Sequence, residues 1–243
     1  MTPIRPVPIL KDSIENHRGH TVLGFAPGSA PLVIDCGAHK GEFADSVHQA
    51  WGARCHSIEA SPALFADLAL PAGATGYNFA VAGSDGEVSF TLSDNPEASH
   101  VGTGNGGDSS GGGDGERITV PARSLAGFLD EVAPDAIDLL KLDIEGSEIA
   151  ALDGLSDRHL ARIGQITAEF HDFCGYVTSA EVDTAIQRLR NSGFAVFPFS
   201  WHTRGDVLMV NQALHPLSAI DRFRIGKVER YRRGLRRVLR RQG

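Results

Sequence analysis

The chain has 243 residues, 42% hydrophobic and 22% charged, enough to bury a sizeable core in one large domain or two small ones. This composition excludes a disulfide mini-scaffold, a collagen-like chain and a wholly disordered one. The formal charge of −7 hides a segregation: residues 222–241 hold ten basic side chains against one acid, Glu229, a net of +9 that leaves −16 for the rest. Three widely spaced cysteines, Cys36, Cys55 and Cys174, form no C-x-x-C pair. They fit reduced thiols in a cytoplasmic protein better than a disulfide framework or a cysteine zinc site. Residues 1–31 lack the basic and apolar blocks of a signal peptide. No segment approaches the ~18 consecutive apolar residues of a membrane span.

Residues 1–31 read as an irregular lead-in with five prolines. Leu32-Val33-Ile34 is then a short apolar strand ending at Asp35 and a glycine turn. Phe43, Val47 and Trp51 follow at helical spacing. His56–Glu59 is a second strand. Ser61-Pro62 opens a helix with a hydroxyl cap and proline in the first turn. Tyr77, Phe79 and Val81 alternate as a third strand, so the pattern is β-α-β-α-β, the mark of a parallel sheet with helices on its faces. Val88/Phe90/Leu92 and Ile118/Val120 alternate and can pair as a hairpin around the glycine-rich insert 102–115. Ser124 caps a helix carrying Leu125, Phe128 and Leu129, and Ile137–Ile144 is a near-continuous apolar strand. Ile149, Leu152 and Leu155 predict a helix, and Ile163–Phe170 a strand. Thr178-x-x-Glu181 is a capping box opening a helix that Gly193 stops. Phe194–Phe199 and Val207–Val210 close the series, near enough to pair antiparallel. The economical architecture is one doubly wound α/β domain with an antiparallel edge strand. It would span residues 32–215, between the lead-in and a basic segment, 216–243.

Asp35-Cys36-Gly37-Ala38-His39-Lys40-Gly41 follows the first strand and opens a helix. Its spacing, D-x-G-x-x-x-G, is not the dinucleotide fingerprint, and a carboxylate just before the turn would repel a diphosphate while suiting a cationic amine. Glu59, at the end of the second strand, is placed to accept hydrogen bonds from both ribose hydroxyls. Together they point to an adenosyl ligand with a zwitterionic end, S-adenosylmethionine. Gly102-Thr-Gly104-Asn-Gly106-Gly107 formally matches a dinucleotide loop, but its flanks do not fit strand–turn–helix. A surface loop or a lid suits it better.

The most specific string is Asp138-x-x-Lys141-x-Asp143-x-Glu145-Gly146-x-Glu148. Charge is costly on an apolar strand unless paired; Lys141, Asp143 and Glu145 alternate on one side, and Lys141 can neutralise either acid. This string, followed by Ala151-Leu152-Asp153-Gly154 and preceded by D-x-G-A-x-x-G and Asn78-Phe79-Ala80-Val81, resembles the FkbM-type S-adenosylmethionine-dependent methyltransferases over about residues 32–211. The resemblance implies the seven-stranded, Rossmann-like class I methyltransferase fold and O-methylation of a natural product, sugar or other small molecule. It also implies that the loop Gly37–Gly41, with Ala38 and His39, holds the methionine moiety, that Glu59 holds the ribose, and that Asn78–Ala80 lies near the adenine. The glycine-rich insert and arginine-rich tail depart from the family's usual pattern.

An alcohol acceptor needs a base or a metal to become nucleophilic. Asp143 ends the fourth strand and Glu169 the fifth, so both reach one crevice, where they can share a divalent cation such as magnesium. His171, ordinarily titrating near ~6.5, would take the hydroxyl proton. The tail places Val228, Tyr231, Leu235 and Val238 at spacings of three and four among arginines. It would pack on the acidic body or a second subunit, lie on an anionic membrane surface, bind nucleic acid, or remain solvated. A nucleic-acid methyltransferase is disfavoured, since the fourth strand ends in Asp-Ile-Glu-Gly rather than an Asn/Asp-Pro-Pro-aromatic turn. A non-catalytic adenosyl-binding module is the remaining alternative.

Overall fold

The structure is a computed structural model in which residues 6–92, 100–101, 116–172, 177–200 and 203–228 are described. The glycine-rich insert, Cys174, Trp201-His202 and the tail beyond Val228 lie outside the described residues.

The chain enters through an antiparallel hairpin, β1 (Ile9–His17) and β2 (His20–Phe25). This corrects the expectation of an irregular lead-in. Arg18 and Gly19 turn with φ of 50° and 100°, the mirror-image geometry that two-residue hairpins favour. Every residue of β2 is buried. The sheet proper begins with β3 (Leu32–Cys36), followed by α1 (Glu42–Trp51), β4 (Arg54–Glu59), α2 (Pro62–Ala66) and β5 (Thr75–Asn78). The predicted third strand in fact breaks at Phe79: β5 stays in the main sheet, while β6 (Ala80–Ala82) joins a second one with β7 (Gly86–Leu92), β8 (His100–Val101) and β9 (Glu116–Ser124). The predicted hairpin pairing is present there, with Val88 opposite Val120 and Phe90 opposite Ile118.

After α3 (Leu125–Val132) come β10 (Ile137–Leu142), α4 (Glu148–Asp153), the short α5 (Asp157–Ala161), β11 (Ile163–Ala168), α6 (Ser179–Asn191), β12 (Phe194–Pro198), β13 (Val207–Asn211) and α7 (Ala219–Phe223). The main sheet runs β12-β13-β11-β10-β3-β4-β5. This is the seven-stranded doubly wound sheet that the resemblance implies. The antiparallel strand, β13, is inserted between β11 and β12 rather than lying at the edge. β12 lies one place beyond β11, and β13 returns antiparallel into the gap between them, so β12 runs in the same direction as β11.

Two cores flank the sheet, and strand alternation assigns each residue to one of them. Leu208 and Val210 of β13 pack with Val33, Leu139, α1 and the hairpin, whereas Val207 and Met209 pack with Leu140, Leu142, α3, α4 and α6. Gln165 ties the hairpin to the sheet, accepting from Leu23 N–H at 3.0 Å and donating to Leu23 C=O at 2.8 Å. Asp206 accepts from Thr21 N–H at 3.0 Å. Strand order reverses between β3 and β10, and it is at such a switch point, beyond the carboxyl ends of the strands, that sheets of this kind bind ligands.

Candidate active site

The turn after β3 is held by its own backbone. Gly37 and Ala38 N–H both donate to Ile58 C=O at 3.0 and 2.8 Å, and Gly41 N–H donates to Ala38 C=O at 2.8 Å. Gly37 has φ +85°, and a Cβ there would lie 1.7 Å from the Asp143 carbonyl oxygen. Only glycine permits that approach. With these N–H groups turned inward, the loop offers no nest for a diphosphate. Glu59 closes it from the next strand, accepting from His39 N–H and Ser61 N–H, each at 2.8 Å. Burial pushes the Glu59 carboxyl up, against the pull of those two donors. Each carboxylate oxygen keeps a second lone pair for a ligand hydroxyl. The Asn78 amide donates to Glu59 C=O at 2.8 Å, which secures the end of β4. Ala80, by contrast, is a buried residue of the second sheet, clustered with Val120.

Asp35 is fully buried, and Lys141, its register partner on β10, sits 3.1 Å away. The same ammonium donates to Gly37 C=O at 2.7 Å and lies 3.5 Å from Asp143. Burial opposes the charge on Lys141, but Asp35 and Asp143 outweigh it and hold the ammonium protonated. Asp35 thus acts on the loop through Lys141. The expected pairing of Lys141 with Asp143 exists, while Glu145 lies beyond the strand in a left-handed turn (φ +51°) and turns to His171.

Asp143, Glu145, Glu169 and His171 converge at the ends of β10 and β11. His171 Nδ1 lies 2.9 Å from Glu148, while its Nε2 lies 3.3 Å from Glu145 and 3.8 Å from Asp143. Glu148 is wholly buried and accepts from Ile144 N–H at 3.0 Å and Gly146 N–H at 3.1 Å. Burial alone would lower the His171 pKa, but the bond to Glu148 and the charges of Glu148, Glu145 and Asp143 raise it to about 9. The expectation had this imidazole near its ordinary value; its carboxylate neighbours instead favour the protonated ring. Burial, with repulsion from Asp143, Glu148 and Glu169, lifts Glu145 to about 7. Burial and Asp143 also push Glu169 up. Asp143 stays well below the usual carboxylate range, because Lys141 and His20 outweigh its burial.

Asp143 and Glu169, paired in the sequence analysis as cation ligands, do come together, and His20 joins them. The ligand atoms of the three lie within 4.8 Å of one another, as do those of Asp143, Glu145 and His171. Sequence reasoning missed His20, whose hairpin was hidden by the weak Arg18-Gly19 turn signal. It also left Glu148 without a role, although the spacing Glu145-Gly-x-Glu148 marks a carboxylate that can reach back over its own turn.

The seven-stranded sheet with its inserted antiparallel strand, the glycine turn after β3 and the acid closing β4 together define a class I methyltransferase fold. The profile of the Methyltransferase FkbM domain matches residues 35–196, and the chain belongs to that family. It is 32% identical over 105 residues to the 31-O-demethyl-FK506 methyltransferase FkbM of Streptomyces tacrolimicus, covering 43% of this chain and 36% of that one. It is 36% identical over 80 residues to Methyltransferase 1 of Beauveria bassiana, covering 32% and 30%. A 74-residue stretch is 38% identical to the AMB antimetabolite synthetase AmbE of Pseudomonas aeruginosa, covering 30% of this chain and 4% of that one. The matched stretches thus span well under two thirds of these relatives. Among solved structures, the methyltransferase FkbM from Methylobacillus flagellatus KT aligns with a TM-score of 0.45 at 16% identity, over 74% of this chain and 43% of that one.

Proposed function

We propose that the chain is an S-adenosylmethionine-dependent O-methyltransferase acting on a hydroxyl of a small molecule, a sugar or a natural product. The carrying observation is the junction at Gly37, where the turn closed by Glu59 meets the backbone of Asp143 and hence the acidic cluster. Residues 37–41 and Glu59 fit the donor: the turn presents no phosphate nest, Glu59 can accept from a ribose, and Asn78 fixes the strand end beside it. Bound there, the donor supplies an already activated methyl group, so the protein's share is alignment and proton removal. Lys141 holds the turn against Asp143 and sets the spacing between donor and acceptor sides. The acceptor hydroxyl faces Asp143, Glu145, Glu169 and His171. Glu169, with its carboxyl pushed upward and half-buried, is the group matched to accept the hydroxyl proton. Asp143 anchors metal assistance: a divalent cation, magnesium in the simplest case, would lower the hydroxyl pKa. The name of the Streptomyces tacrolimicus relative, which specifies a 31-O-demethyl substrate, supports oxygen as the acceptor atom.

Titration calorimetry with S-adenosylhomocysteine tests the donor site; folded, ligand-free protein that does not bind it would sink the reading. A screen of hydroxyl acceptors, with S-adenosylhomocysteine release as the readout, tests the reaction. Turnover is expected to fall in EDTA and return with magnesium. Glu169→Gln should lower turnover at least about tenfold while leaving S-adenosylhomocysteine affinity in place.

A further inference from the structure

Asp143 stands between two histidine–carboxylate sets, and the two are not built alike. In the first, His20 is 2% exposed and its Nδ1 has no hydrogen-bond partner among the described residues. Its Nε2 lies 3.2 Å from Asp143. The proton of a neutral His20 therefore belongs on Nε2, where it is donated to Asp143. Coordinating a metal through Nε2 would move that proton to Nδ1 and leave a buried donor unpaired, at a cost of about 1–3 kcal/mol.

The second set has the opposite arrangement. His171 Nδ1 meets Glu148 at 2.9 Å, so a neutral ring keeps its proton on that side and presents Nε2 to Glu145 and Asp143. A carboxylate behind the far nitrogen is what fixes tautomer and orientation in metal-bound histidines. Glu148 also accepts from the amides of Ile144 and Gly146, so one buried side chain aims the imidazole and clamps the turn that carries Glu145. That turn is held in a strained form, with a non-glycine residue at φ +51°. The charges are unbalanced as well. Four carboxylates, Asp143, Glu145, Glu148 and Glu169, share two imidazoles, His20 and His171, and the nearby ammonium of Lys141 is already shared with Asp35.

We propose that Asp143, Glu145 and His171 form a divalent-metal site, with Glu148 as the outer carboxylate that orients His171. Glu169 is then left outside the ligand set to accept a proton. One imidazole among two carboxylates favours a first-row ion such as Mn²⁺ over magnesium or calcium, which prefer all-oxygen sites. The use of the ion, to hold and acidify an acceptor hydroxyl, rests on the methyltransferase reading; its binding does not.

The test is binding of Mn²⁺ alone to the EDTA-stripped full chain, by calorimetry and by loss of the free-ion electron paramagnetic resonance signal. Each sample is also titrated with S-adenosylhomocysteine and checked for folding by circular dichroism. One ion per chain is expected, with Mg²⁺ bound at least about tenfold more weakly. His171→Ala and Asp143→Asn should each weaken Mn²⁺ by about 100-fold or more, and Glu148→Gln by about 10–100-fold. His20→Ala, which removes a donor to Asp143 and no ligand, should weaken it less than His171→Ala does, by about 100-fold at most. A folded parent chain that takes up no Mn²⁺ at millimolar concentration overturns the proposal. So does a folded His171→Ala variant that binds like the parent, or a His20→Ala variant that loses the ion while His171→Ala keeps it. Metal binding without S-adenosylhomocysteine binding would count against the donor site only, and the converse against the metal only.

Discussion

The two halves of the crevice solve opposite problems. On the β3–β4 side, the described loop N–H groups are spent within the protein, Glu59 is bonded to two amides, and Asp35 is matched by Lys141 at 3.1 Å. On the β10–β11 side, carboxylates outnumber cations, and Glu145 is driven to about 7 by burial and its acidic neighbours. The first half is finished without a ligand. The second is finished only by something positive, or by protons. Electrostatic completeness, more than pocket shape, separates the two sides here.

Breaking the complete half should have the largest effect. Lys141→Met leaves Asp35 buried without its partner, and a stability loss of about 3–5 kcal/mol is expected in urea denaturation. The loss should shrink on acidification as Asp35 takes up a proton, and Asp35→Asn in the same chain should recover most of it. Next, Glu59→Gln turns an amide NH₂ against His39 N–H or Ser61 N–H. About 1–3 kcal/mol, or 10–100-fold in S-adenosylhomocysteine affinity, should be lost by calorimetry.

The incomplete half should respond the other way. The Glu145 pKa is raised in the folded chain relative to the unfolded one, so the folded state holds the extra proton. Its contribution is fully present below about pH 4.5 and is lost as pH rises through about 7. In EDTA, Glu145→Gln should therefore be about 1 kcal/mol more stable than the parent at pH 8, after allowance for part exposure, and no different at pH 4. The smallest effect is a control at the far end of the sheet. His215, buried beside Gly164, is lowered to about 4, first by burial and then by Lys11. The unfolded chain takes up a proton there first, so stability falls as pH drops from about 6.5 toward 4. His215→Gln should flatten that slope in thermal melts by a degree or two, about 2–4 °C corresponding to 1 kcal/mol in a chain of this size.

The parallel sheet was legible because its strands are short apolar runs between clear helix signals. Ser61-Pro62 and Thr178-x-x-Glu181 both cap helices as expected. The glycine turn after β3 was legible because Gly37 and Gly41 are required by backbone conformation, which a sequence records directly. Partners across the sheet were not. Nothing local says that Asp35 pairs with Lys141, since register alone brings them together. The break at Phe79 escaped because alternation continues straight through it while the chain changes sheets. The hairpin escaped because positive φ at Arg18 is an unusual choice for a turn. The protonation of His171 depends on three carboxylates distant from it in sequence, and no pattern of residue types encodes their sum.

The hairpin also bears on where this protein can be cut. The family match begins at residue 35, yet Val22, Leu23 and Phe25 are interior side chains, Gln165 and Asp206 are stitched to β2, and His20 reaches Asp143. A fragment trimmed to the homologous boundaries would uncover the apolar face of β10 and β13 and strip Asp143 of a donor. Homology marks where ancestry is readable; the cooperative unit starts at least as early as Ile9.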